Sequence, residues 1–338
     1  MSKQAKRVST AFLAVFLLGI VYGCPPVFAQ GPQHVILDTD LSSDVDDVGA
    51  VAVLHSLADK GEADILAMMV SSGDPWSAPC LDALNTWFGR PDIPIGVVRG
   101  KRVTHTSKYT KRIAGEFPHD INSVDEATDA VGLYRKILTA QPDKSVILIT
   151  IGYLTNLQNL LVSKPDESSP LNGAALVRKK VKKLVCMGGE YPEGREWNFY
   201  QDAGAAQHIT EQWPTPIVFC GFEVGRDVLT GHGLRVLKTR NPVRLSYELY
   251  NGLTDRPSWD QVTVLYGVRG QVSLAAGPWF SQEYGHNRVF GDGTNKWHFQ
   301  AGKFQAFLRR KIAPSILAQK IEALMSLPLH QEYEEHGE

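Results

Sequence analysis

Five aspartates fall within ten residues: Asp38, Asp40, Asp44, Asp46 and Asp47, directly after the apolar run Val35-Ile36-Leu37. Carboxylates this crowded repel one another unless a positive charge sits among them. A hard divalent cation, which takes oxygen ligands, is the simplest neutraliser. The cluster also stands where a strand would hand over to a helix, and open α/β sheets bind ligands at the carboxyl ends of their strands. Helix capping and the helix dipole would account for Asp44, Asp46 and Asp47 without any ligand. They do not account for Asp38 and Asp40, which close the strand. A calcium-binding hand does not fit either, because its sixth and twelfth positions need glycine and glutamate. Counting from Asp38, Ser43 and Gly49 stand there.

Four further stretches carry polar residues at places where chemistry is done. Ile151-Gly152-Tyr153-Leu154-Thr155-Asn156 follows one apolar run, and Met187-Gly188-Gly189-Glu190 follows another. Glu196-Trp197-Asn198 lies in the ensuing loop, and Pro257-Ser258-Trp259-Asp260-Gln261 opens a late helix. Singly, each has a plain structural account. Met187 can be core filler beside a tight strand exit, Thr155 and Asn156 can cap a helix, Glu196 can be a solvated acid, and Asp260 can face a helix dipole. Their joint order is more specific than any one of them.

The elements that must position these residues alternate. Strands are expected at 35–37, 65–70, 95–98, 145–151, 181–187 and 217–220. Helices are expected at 47–59, 79–88, 124–140, 154–162 and 203–212, with a helical pattern from 241 onward and a last helix at 313–325. The stretches 101–123 and 277–297 read as loops. Such βαβα alternation predicts an α/β fold: an open, mostly parallel, Rossmann-like sheet with helices on both faces, forming a single domain over 33–330. In a parallel sheet the strand carboxyl ends share one edge, so residues far apart in sequence converge there.

In this order the residues resemble the inosine-uridine preferring nucleoside hydrolase family. The likeness runs from about residue 34 to about residue 270. It is carried by Asp38-Thr39-Asp40 with Asp46-Asp47, Arg90-Pro91-Asp92-Ile93-Pro94, Leu154-Thr155-Asn156, Met187-Gly188-Gly189, Glu196-Trp197-Asn198 and Asp260. The resemblance implies the nucleoside hydrolase fold and a calcium ion at the sheet edge. Asp40, Asp47 and Asp260 would supply carboxylates and Ile151 its backbone carbonyl. Asp38 would brace the site from behind. Asp46, Glu196 and Asn198 would bond the ribose hydroxyls, Met187 would line the sugar pocket, and Asp40 would be the catalytic base on the attacking water. The family often forms homo-oligomers, although no stretch of this sequence marks an interface.

The chain departs from the family pattern in four ways. Two extra residues sit inside the aspartate motif, Ser42 stands where glycine is usual, and Gly73-Asp74 stands where many members have Gly-Asn. Trp259 occupies the position where many members carry a histidine that protonates the leaving base. Trp259 is no acid, but it can stack on a ring, as can Trp76. Of the ten histidines, His105, His119, His232, His286 and His298 all fall in loop-like stretches, and spacing singles out none of them.

Calcium-dependent hydrolysis of the N-glycosidic bond of a ribonucleoside, or of a related N-riboside, is therefore the expected activity. One alternative is an exported nucleoside- or sugar-binding protein that lacks the leaving-group acid. Another is a haloacid-dehalogenase-like phosphatase built on Asp38, Asp40, Thr150, Lys182 and Gly291-Asp292-Gly293-Thr294-Asn295, which leaves most of the other acids without a role.

Bulk properties narrow the partners. A formal net charge of −1 over 338 residues, with no long basic stripe, argues against nucleic acid. Lys3, Lys6 and Arg7 before the apolar run 11–23 read as a secretory signal. Cleavage after Ala29 competes with a lipoprotein-type leader that ends at Gly23 and leaves Cys24 lipidated, a membrane tether. Plain export to the periplasm or beyond is the better fit, because Tyr22 is bulky for the lipoprotein box. Cys80, Cys186 and Cys220, an odd set without tight spacing, are expected as buried thiols.

Overall fold

The chain is described here by a computed structural model covering residues 31–271, 273–274, 277–300 and 304–326. The expected leader at 1–29, with both of its cleavage points, lies outside the described residues.

The first strand, β1 (Gln33–Thr39), enters the centre of a large sheet. It is followed by α1 (Asp46–Asp59), β2 (Ala63–Val70), α2 (Ser77–Trp87), β3 (Ile95–Val97), α3 (Thr110–Glu116), β4 (Thr128–Asp129) and α4 (Ala130–Ala140). The chain then returns through β5 (Val146–Thr150), α5 (Thr155–Val162), α6 (Gly173–Lys180), β6 (Val181–Met187), β7 (Glu193–Gly194), α7 (Trp197–Gln201), α8 (Ala203–Gln212) and β8 (Ile217–Cys220). Beyond these come α9 (Phe222–Gly225), α10 (Pro242–Asn251), α11 (Trp259–Arg269), β9 (Phe280–Val289), β10 (Asn295–His298), β11 (Gln305–Arg310) and α12 (Pro314–Met325). The strand order is β4-β3-β2-β1-β5-β6-β8-β11-β9-β10-β7. The strands from β4 to β11 run parallel, and β9, β10 and β7 add antiparallel partners.

Period-two alternation splits the inner strands between two helical layers. Val35, Leu37, Met68, Val70, Ile147, Ile149 and Val185 join one buried core, which includes α1, α2, α11 and α12. Ile36, Ala67, Met69, Leu148, Leu184 and Cys186 join the other, with α4, α5, α6 and α8. Both faces are thus covered, which is why these strands read as continuous apolar runs rather than alternating ones. Helix α1 is buried along nearly its whole length, so it too lacks a polar face.

Register brings the motifs level. Asp38 lies opposite Thr150, and Thr150 opposite Cys186. The residues just beyond, Asp40, Ile151 and Met187, therefore emerge along one edge. The chain also winds outward from β1 to β4 and then resumes at β5 on the other side of β1. That reversal is the topological switch point, where such sheets open a crevice.

Several expected elements differ. The stretch 101–123 contains α3, and the helix expected from 124 starts only at Ala130, capped by the Asp129 carboxylate, which accepts from Gly132 N at 2.8 Å. Helix α6 was not foreseen. The stretch 277–297 is not loop-rich: it contains β9 and the start of β10, so His286 and His298 lie on paired strands, their rings stacked 4.8 Å apart. Residues of β9 such as Gln282, Glu283 and Tyr284 give no apolar signal, because cross-strand pairing rather than burial holds them. The three cysteines are free and buried, as expected. No helix among the described residues is long and apolar enough to cross a membrane.

One buried histidine links the fold to pH. His55 of α1 is fully enclosed, stacks on Phe88 at 4.6 Å and shares 2.9 Å with the Asn85 Oδ1 acceptor. Burial pushes its pKa down from 6.5 to about 3. The unfolded chain therefore binds a proton that the native state refuses, and stability falls as pH drops from about 6.5 toward 3. Urea melts across this window should show His55→Gln losing less stability on acidification than wild type.

Candidate active site

The crevice at the switch point is a cavity of about 470 Å³. Its floor is built by the aspartate motif. Thr39, the last residue of β1, turns its hydroxyl to the Asp47 Oδ1, which also accepts Leu41 N at 3.1 Å. This fixes Asp47 in the first turn of α1. Asp46 beside it accepts Asp260 N at 3.3 Å through Oδ2 and so ties α1 to the start of α11. Carboxylate oxygens of Asp46, Asp47 and Asp260 lie within 4.8 Å of one another. Asp40 lines the same cavity. Gly152 makes this approach possible, since a Cβ there would run into the backbone and side chain of Asp40.

Asp38 faces the side of β1 opposite to Thr39, as strand alternation requires. Its oxygens accept Tyr134 Oη at 2.8 Å and Asn156 Nδ2 at 3.2 Å, while its carbonyl accepts Ile151 N at 2.8 Å. It braces β1 against β5 without lining the cavity.

On the opposite wall, Asn198 Nδ2 donates to the Ile151 carbonyl at 3.1 Å and contacts Met187 Sδ at 3.4 Å. Glu196 caps α7, accepting Asn198 N at 2.7 Å and both Gly189 N and Phe199 N at 3.1 Å. Burial nevertheless raises its pKa to about 7. Asp40 and Asp38 are also raised to about 7, chiefly by burial. Asp46, Asp47 and Asp260 go well above the usual carboxylate range, through burial first and then through the charges of neighbouring acids.

The mouth is aromatic. Trp259 stacks on Phe222 at 5.2 Å and donates Nε1–H to the Phe222 carbonyl at 2.8 Å. His105, also in the lining, packs against Trp197 at 5.2 Å. The Arg256 guanidinium lies 5.3 Å over the Trp259 ring and is engaged by the Asp44 carboxylate.

Asp40, Asp46, Asp47, Ile151, Met187, Glu196, Asn198, Trp259 and Asp260 thus all line one cavity. Trp76 does not: it lies under Lys111 at 5.6 Å. Lys182 and Asp292, which a phosphatase would need, are exposed and away from it. Asp74 turns inward to accept Thr110 Oγ1 at 2.7 Å. Thr106, Phe222 and Arg256 also wall the cavity, and no local pattern announced them, because nothing in their spacing ties them to the sheet edge.

The donor set suits a hard divalent cation. It offers buried carboxylates and a main-chain carbonyl, oxygen only. Among the described residues Arg256 is the one lysine or arginine lining the cavity, and Asp44 already engages it.

Comparison with solved structures identifies the fold. A plant nucleoside hydrolase superposes with a TM-score of 0.64 at 18% identity, covering 88% of this chain and 100% of that one. An inosine-uridine preferring nucleoside hydrolase from Bacillus anthracis gives 0.65 at 17%, covering 87% and 99%. A purine-preferring ribonucleoside hydrolase from Gardnerella vaginalis gives 0.65 at 17%, covering 88% and 100%. No curated protein matched the sequence. The family model for inosine-uridine preferring nucleoside hydrolases matches residues 35–278, and the chain belongs to that family.

Acids raised above their unfolded value of 3.8 take up protons on folding, so the cation-free protein loses stability as pH rises toward and past about 7. Calcium and protons compete for the same oxygens. The rise in Tm on adding millimolar calcium should therefore be larger at about pH 8 than at about pH 5.5. Equal shifts at both would separate the acids from the cation.

Proposed function

We propose that this protein hydrolyses the N-glycosidic bond of a ribonucleoside or related N-riboside, with calcium, to give ribose and a free base. The convergence of nine residues from separate strand ends, a loop and a late helix on one acid-floored cavity with an aromatic mouth carries this reading. Membership of the nucleoside hydrolase family supports it.

Asp40, Asp47, Asp260 and the Ile151 carbonyl would hold the ion. A bound calcium would orient the sugar and make water easier to deprotonate. Asp40, which lines the cavity floor beside the other acids, is the candidate base on that water. Asp46, Glu196 and Asn198 face the ribose hydroxyls. Glu196 keeps acceptor capacity beyond its three backbone donors, since two carboxylate oxygens carry about four lone-pair sites. Met187 closes the sugar pocket. The surrounding negative charge favours a sugar with oxocarbenium character. Trp259, backed by Phe222, supplies the wall for a flat leaving group. On the strength of its leader alone, the same proposal makes the mature protein an exported one.

A reducing-sugar assay against a nucleoside panel, with and without chelator, tests this directly. Asp40→Ala and Asp47→Ala should each lower ribose release by roughly 100-fold or more while the fold stays intact. Undiminished turnover in either variant would refute the assignment. Removing the 2′-hydroxyl strands buried polar groups, so 2′-deoxynucleosides should react at least about 100-fold more slowly. Rapid deoxynucleoside cleavage would dismiss the ribose contacts.

A further inference from the structure

Breaking a C1′–N bond sends its electron pair to nitrogen, and a poor leaving base needs a proton there as the bond opens. Trp259 has none to give. Among the residues that line the cavity, His105 is the one imidazole, and it lies among aromatic side chains. Its ring packs 5.2 Å from Trp197 and 6.4 Å from Tyr153. Its Nε2 lies 3.1 Å from Gln201 Oε1, an acceptor, so Nε2 carries hydrogen. Nδ1 makes no hydrogen bond to the described residues, and in the imidazolium it is the second donor.

The loop that bears His105 is fixed by three contacts, and the places where this sequence departs from its family pattern supply the anchors. Val103 pairs with Ser72, and Gly73 N donates to the Val103 carbonyl at 2.7 Å. A Cβ at Gly73 would strike Thr104 and Arg102. Asp74 accepts Thr110 Oγ1 at 2.7 Å. Asp44, in the lengthened aspartate turn, accepts Tyr109 Oη at 2.5 Å through its carbonyl. The lengthened turn and Gly73-Asp74 thus hold in place the loop that carries the cavity's histidine, in a chain where tryptophan stands before the last aspartate.

Resting on the hydrolase reading above, we propose that His105 is the leaving-group acid of this protein, with Gln201 as the positioning residue that fixes its tautomer. His105 Nδ1–H gives its proton to the base nitrogen as the C1′–N pair moves onto that atom. Water oxygen bonds to C1′ and loses a proton to Asp40. Asp40 returns its proton to solvent, solvent reprotonates His105, and the net change is riboside plus water to ribose plus base.

The test compares purified wild type, His105→Gln and His105→Ala, all with calcium, on a nucleoside panel and on p-nitrophenyl β-D-ribofuranoside, whose nitrophenolate departs without a proton. Circular dichroism confirms that each variant is folded. On nucleosides kcat should fall about 100-fold or more in both variants, while kcat/KM on the nitrophenyl riboside stays within about threefold of wild type. Equal losses on the two substrate types, or undiminished nucleoside turnover, would overturn the role of His105 while leaving the hydrolase reading standing. Absence of ribose release by wild type from every substrate would overturn the hydrolase reading and this role together.

Discussion

The structure depends on one costly arrangement, the burial of like charges at a sheet edge. Asp40, Asp46, Asp47 and Asp260 are each almost wholly withdrawn from solvent, and burial first, then the charges of neighbouring acids, raise their pKa. In a low-dielectric site an unpaired carboxylate is expensive, so it either takes up a proton or gains a counter-charge. Arg256 does not meet that need, since Asp44 engages it at the rim. The acids are kept in place by what surrounds them: Thr39 and Leu41 on Asp47, the backbone of Asp260 on Asp46, and the α11 packing against α1.

Rigidity behind the acids comes from neutral donors rather than from opposite charge. Asp38 is held by Tyr134 and Asn156, and Asn156 also donates to the Val70 carbonyl at 3.1 Å, which links β1, β2 and α5. Glu196 performs the same service on the far wall, where three backbone N–H groups fix the turn that carries Trp197 and Asn198. The floor is thus polar and closely hydrogen-bonded, and the mouth is aromatic. That division suits a ligand with a hydroxylated end and a flat end.

Much of this was legible in the residues themselves. The run Val35–Leu37, its acidic sequel and the glycines after Met187 marked strand exits, because short apolar runs and turn residues report local structure. The residues with no local signal were harder. β9 is polar and is held by its neighbours β10 and β11, so nothing in its own composition announced it. His105 has the local signature of any loop histidine, because its loop is pinned only through Val103, Tyr109 and Thr110 to residues distant in sequence.

The sequence alone determined which side chains would carry charge and where strands would stop, since periodicity and turn chemistry are properties of neighbouring residues. It therefore determined the parallel centre of the sheet, its two buried faces and the membership of the acidic floor. Only the tertiary structure decided which way each acid faces. Asp38 turns to Tyr134 and Asp47 to Thr39 because strand alternation and helix packing put their partners on opposite sides of β1. The fold likewise decided that Asp44 would reach Arg256, 212 residues away, and that an aromatic mouth would assemble from α7, α9 and α11. Such contacts join segments whose separation along the chain leaves no local trace, and they exist only once both layers have packed.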